Sequence, residues 1–133
     1  MQFFLHGGIH PDTQTALLKN KHVCHTLLEF AEDSAASEEM VNDPMRFVPL
    51  LAKKQWNLIT TDADFVRQLY EHKIAFDGII VQIVESPADD PRMQITAIPR
   101  LFERYPRLTP RRLYMVTRSR VKIRQLPGAA QAD

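Results

Sequence analysis

The run Ile79-Ile80-Val81-Gln82-Ile83-Val84 constrains the fold of this chain more than any other feature. Six residues with a single polar member are too short for a buried helix, and Asp77-Gly78 marks a turn just ahead of them. A β-branched run without polar alternation suits a central parallel strand covered on both faces. A parallel neighbour requires a crossover connection, which is usually a helix.

The rest of the chain supplies those parts. Residues 2–5 read as a first strand stopped by Gly7-Gly8, and 14–19 as a short helix with Pro11 suited to a first helical position. Residues 22–27 resemble a second strand. The stretch 29–43 carries six acids and no base, and reads as a loop with some helix. Asn42-Asp43-Pro44 opens a helix through Lys54, which Pro49 is expected to kink or split. Residues 57–61 read as a buried strand and 62–70 as an amphipathic helix. Asp90-Pro91 opens a further helix, interrupted by Pro99. Residues 113–117 and 120–126 form a closing hairpin around Arg118-Ser119. Strands alternating with helices predict an α/β domain with a mainly parallel sheet over 1–126 and a flexible tail over 127–133.

At 133 residues the chain is one domain, and 44% hydrophobic with 25% charged residues is ordinary for a folded protein. No apolar run approaches the roughly 18 residues of a spanning helix, and the N-terminus lacks the basic region of a signal peptide. A lone Cys24 fits a reducing compartment, so a cytoplasmic protein with no membrane association is expected. Charge is divided along the chain: residues 1–90 hold 7 Lys/Arg and 14 Asp/Glu, whereas 91–133 hold 10 and 2. The basic part includes Arg100, Arg104, Arg111, Arg112 and Arg118, and arginine favours bidentate phosphate contacts. These five are candidate nucleic-acid-binding residues. The same charges would also suit a solvated surface paired with the acidic stretch.

Ligands of such sheets collect beyond the carboxyl ends of the strands, where His6, Asp62 and Asp64 are expected. Two carboxylates two residues apart at a strand-to-helix junction can turn toward one hard cation, which could generate hydroxide and neutralise a phosphodiester. The same spacing suits Asp62 as a helix cap and Asp64 as a partner of the helix dipole. His22, Cys24 and His25 crowd within four residues, but a strand would point them to opposite faces, which disfavours a zinc site. The chain contains no glycine-rich phosphate cradle, His-Glu-x-x-His, Gly-x-Ser-x-Gly or Cys-x-x-Cys, which argues against nucleotide kinases, zincins, serine hydrolases and zinc ribbons.

Several stretches in order resemble the small PIN-like domains, relatives of the PIN-domain ribonuclease toxins of toxin–antitoxin modules. They are Phe3-Phe4-Leu5, Asn42-Asp43-Pro44, Leu58-Ile59-Thr60-Thr61-Asp62-Ala63-Asp64-Phe65, Gly78-Ile79-Ile80-Val81 and residues 116–127. The resemblance implies a three-layer α/β/α sandwich and an acidic cluster binding Mg²⁺ or Mn²⁺ for hydrolysis of single-stranded RNA. It places Asp43, Asp62 and Asp64 in catalytic and metal-binding roles. An antitoxin-type protein partner, and assembly into an oligomer, are also compatible with it. Where such domains usually carry an Asp at the end of the first strand, this chain has His6. That change removes a negative charge, and imidazole suits Mn²⁺ better than Mg²⁺. His6 is therefore expected as a fourth ligand or as a support to the ligands, with weak or no Mg²⁺-dependent cleavage. The alternative expectation is a non-catalytic RNA-binding or protein-interaction module that keeps the fold.

Overall fold

The computed structural model describes residues 1–27, 38–84 and 93–128. In chain order these form β1 (Gln2–His6), α1 (Pro11–Lys19), β2 (Val23–His25), α2 (Glu38–Val41), α3 (Pro44–Lys54), β3 (Asn57–Thr60), α4 (Ala63–Glu71), β4 (Ile79–Ile83), α5 (Met93–Arg104), β5 (Arg112–Val116) and β6 (Val121–Gln125). The strands make one sheet in the order β2-β1-β3-β4-β5-β6, parallel throughout except for the antiparallel β5–β6 pair. The expected α/β class, the mainly parallel sheet and the closing hairpin are all present. None of the described helices is long and apolar enough to cross a membrane.

Alternation along each strand divides the core in two. Phe4, Leu58, Ile80 and Leu113 pack on one face with Phe47 and Leu51 of α3 and Phe65 and Leu69 of α4. Phe3, Ile59, Val81 and Tyr114 pack on the other with Leu17 of α1 and Ile98 and Leu101 of α5. Helices therefore cover both faces, which is why β4 is buried along its whole length and shows no polar alternation. Truncating one of these buried rings or leucines to Ala removes about 2–5 kcal/mol in comparable cores.

Local chemistry sets the helix starts. Pro11 and Pro44 occupy first-turn positions, where a missing N–H costs nothing, with His10 and Asp43 as the caps before them. The first helix thus begins at Pro11, ahead of the expected 14–19, and β2 is shorter than 22–27. The two interior prolines do not split their helices as expected: α3 runs through Pro49 and α5 through Pro99. Both prolines are exposed, so the carbonyl four residues earlier faces outward, while buried Phe47, Val48 and Leu51, or Ala97, Ile98 and Leu101, hold the helix on its inner side. The expected helix start at Asp90-Pro91 and most of the acidic stretch lie outside the described residues, as do residues 129–133 of the expected tail. Pro127 itself is held, its carbonyl accepting from the Phe76 N–H at 3.1 Å.

Because β1, β3, β4 and β5 run the same way, their carboxyl ends share one edge of the sheet and their amino ends the other. The helices return the chain, so α1, α3, α4 and α5 end at the amino edge.

Candidate functional site at the carboxyl edge

The chain leaves β1 for β2 on one side, while β3 lies on the other, so the strand order reverses at the β1/β3 junction. Loops that depart in opposite directions leave a crevice beyond such a junction, the usual ligand position in open α/β sheets. His6 ends β1 and is paired with Thr60, which ends β3; Thr60 is in turn paired with Gln82 of β4. All three side chains are buried, in the row directly beyond Phe4, Leu58 and Ile80 on the α3/α4 face.

His6 sits at the centre of a hydrogen-bond chain. Its Nδ1 lies 2.7 Å from Thr60 Oγ1, and its Nε2 lies 2.8 Å from Asn42 Oδ1. The Asp62 N–H donates to the same Thr60 oxygen at 2.9 Å. One assignment of protons satisfies every group: Asp62 N–H to Thr60 Oγ1, Thr60 O–H to His6 Nδ1, and His6 Nε2–H to Asn42 Oδ1. The imidazole in that chain is neutral. Burial agrees, holding the His6 pKa below its ordinary value against the opposing pull of the Asn42 hydrogen bond, the Asp62 charge and the Val41 carbonyl. Phe65 and Phe47 flank the ring, with the Phe65 centroid 4.7 Å away.

The glycine turn after β1 is fastened on two sides. Gly7 has φ 82°, and a Cβ there would stand 2.5 Å from Thr61 Oγ1, so glycine is required for both conformation and space. Thr61 Oγ1 accepts from the Gly8 N–H at 3.0 Å. From the opposite face, buried Gln94 of α5 donates to the Gly8 carbonyl and accepts from the His10 N–H, at 2.8 and 2.7 Å.

The expected metal residues have the following partners. Asp43 Oδ1 accepts from the Met45 N–H and caps α3, and Asp62 Oδ1 accepts from the Phe65 N–H and caps α4, both at 3.1 Å. Asp64 lies on the exposed side of α4, bonded to Arg67 and to Gln68. Those two hydrogen bonds hold its carboxyl below the usual range, despite a small opposing effect of desolvation. The structure brings His6, Asp43 and Asp62 to the carboxyl edge, through Asn42 and Thr60, but directs Asp64 along its own helix. Among the described residues no three His, Cys, Asp or Glu side chains form a group able to hold a metal ion.

The five arginines separate by edge. Arg118 is in the β5–β6 turn at the carboxyl edge, and the Arg100 guanidinium reaches it to donate to its carbonyl. Arg104 ends α5, Arg111 pairs with Asp77 at 3.1 Å, and Arg112 begins β5, so these three belong to the amino edge. These five arginines therefore do not gather around His6. Sequence reasoning also passes over Thr60 and Gln94 and gives Asn42 only as part of a helix start, because their contacts with His6 and Gly8 depend on strand order.

Comparisons with family models, with curated proteins and with solved structures yield no match.

Proposed function

We propose that this chain is a PIN-like domain descended from a metal-dependent ribonuclease, and that it now works as a module binding single-stranded RNA, with weak or no Mg²⁺-dependent cleavage. The observation that carries this reading is the use of both His6 ring nitrogens. Where the resemblance calls for a carboxylate, the chain has a neutral ring already bonded to Thr60 and Asn42. A cation would gain a ligand there only by breaking one of those bonds, and without the charge that hard cations favour. Mn²⁺ or Mg²⁺ as cofactor, a toxin-like role and an antitoxin-type partner rest on the resemblance alone.

The test is cleavage of a labelled single-stranded RNA in Mg²⁺ and in Mn²⁺, with Asp62→Asn as the blank. The natural protein should bind the RNA but cut it little, with Mn²⁺ outperforming Mg²⁺, and His6→Asp should gain metal affinity. Strong Mg²⁺-dependent cleavage by the natural protein, abolished in Asp62→Asn, would show that the lost carboxylate never mattered and restore the nuclease reading.

A further inference from the structure

The topology sorts charge between the two ends of the sheet. The last turns of the helices place Lys19, Lys53, Lys54 and Arg104 at the amino edge. The loops that follow add Lys21, Lys73, Arg107 and Arg111, and Arg112 begins β5. All nine are exposed except Lys54, which is half-buried. Only three acids, Glu71, Asp77 and Glu103, occupy the same end among the described residues.

Basic residues at helix ends also compensate the helix dipole, so the size of that effect decides the matter. Four helix C-termini contribute about −0.5 charge each, about −2 together. Nine cations exceed that and the three acids by about four charges. Among the described residues Lys19, Lys21, Lys53, Lys73, Arg107 and Arg112 have no carboxylate within ion-pair distance.

The same edge holds a cavity of about 460 Å³ whose lining includes Trp56, Phe76, Gly78, Leu108 and Met1. Its volume falls within the ~300–1,000 Å³ of small-molecule sites. Lys53 and Lys54 precede one wall, Lys73 precedes Phe76, and Arg107, Arg111 and Arg112 bracket Leu108 and Pro110. Trp56 is half-buried, with His25 stacked at 3.7 Å and Lys54 Nζ 5.1 Å from its ring centre. Gly78, also in the lining, sits so close to Phe76 that a Cβ there would meet the Phe76 ring at 2.6 Å.

From this combination we infer that the amino edge is a docking surface for single-stranded nucleic acid, with the basic residues tracking phosphates and the Trp56 cavity seating a base. A basic track joined to an aromatic seat is how unpaired strands are held without sequence readout. An anionic lipid surface would use the charge but not a recessed aromatic cavity. The inference shares its ligand class with the proposed function but not its site, which lies at the opposite end of every parallel strand.

Trp56 is the only tryptophan in the chain, so it reports on its own cavity. The full chain is titrated with an oligouridylate and its deoxy counterpart while Trp56 emission is followed, and inorganic polyphosphate serves as the charge-only probe. Both oligonucleotides should quench the emission, whereas polyphosphate should compete without quenching. The triple reversal Lys53→Glu, Arg107→Glu, Arg112→Glu changes only exposed side chains; it should weaken oligonucleotide binding about tenfold or more and flatten its salt dependence by about 0.7 in log–log slope per lost phosphate contact. Lys122→Glu, an exposed change on β6 near the carboxyl edge, should leave affinity within about twofold. Affinity indifferent to the triple reversal, saturation without change in Trp56 emission, or binding to anionic lipid vesicles in place of the oligonucleotides would each overturn the inference.

Discussion

His6 and Thr60 are 54 positions apart in the chain, yet their Nδ1 and Oγ1 atoms are 2.7 Å apart where two neighbouring parallel strands end. The threonine hydroxyl turns the peptide N–H of Asp62, the first residue beyond Thr61, into a fixed reference for the imidazole. The pair therefore couples the end of β1 to the start of α4.

Replacing Thr60 with Val keeps the shape but removes the hydroxyl, leaving a buried ring nitrogen and the Asp62 N–H without their partner. A loss of about 1–3 kcal/mol is expected, and Thr60→Ser should retain most of the stability. Urea unfolding midpoints compare the two, and a Val variant as stable as the natural protein would remove the hydrogen-bond chain as a structural device.

Stability should fall on acidification through the histidine range. His6 has a lowered pKa in the folded state because of burial, and His22 is lowered by burial and by the nearby N-terminal ammonium. The unfolded chain therefore takes up protons that the folded one refuses, so the stabilisation is complete above about pH 6.5 and declines as pH drops toward the folded values. Each such proton contributes a slope of at most about 1.4 kcal/mol per pH unit. Urea unfolding across this range should show the decline, and His6→Gln should reduce it; an unchanged slope in that variant would place the proton uptake elsewhere. Asp64, held low by Arg67 and Gln68, acts only in the more acidic carboxylate range, where its contribution is lost as pH falls.

The two glycines after β1 should behave differently. Gly7→Ala forces a side chain into a positive φ and against Thr61, which costs about 1–2 kcal/mol for the backbone alone. A Cβ added at Gly8 would have nothing within 4 Å, so Gly8→Ala should be close to neutral. Thermal unfolding of both variants checks the contrast, and equal melting temperatures would contradict the turn geometry.

Asp62→Ala should cost about 1 kcal/mol through loss of the α4 cap, whereas Asp62→Asn, still an acceptor, should cost much less. Thermal melts with and without Mn²⁺ separate this from a ligand role. A natural protein that Mn²⁺ stabilises, through Asp62, would mean that the carboxylate leaves its cap to bind metal.

How far the residues alone disclose this structure follows from the range of the interactions. The β4 run, the Asp43-Pro44 helix start and the alternation of β6 are local, and all are legible. Pro49 and Pro99 mislead because propensity is local while the buried residues around each proline are tertiary. The His6 to Thr60 contact and the reach of Gln94 to Gly8 depend on strand order, which no spacing encodes. The arginines read as one set because they are near in sequence; strand direction separates Arg118 from Arg111 and Arg112.

Strand order also governs the sequence in which the sheet can be completed during synthesis. β1 is made before the other described strands but lies inside the sheet, between β2 and β3. A nascent chain that has released β1 and β2 carries Phe3 and Phe4 on a two-stranded ribbon whose inner edge stays unfilled until β3 emerges, more than thirty residues after β2. The β5–β6 pair, by contrast, closes over a short turn and can form as soon as it is made. Premature capture of the waiting β1 edge is thus the step at which this topology most exposes the chain to aggregation, and a chaperone would be most useful there.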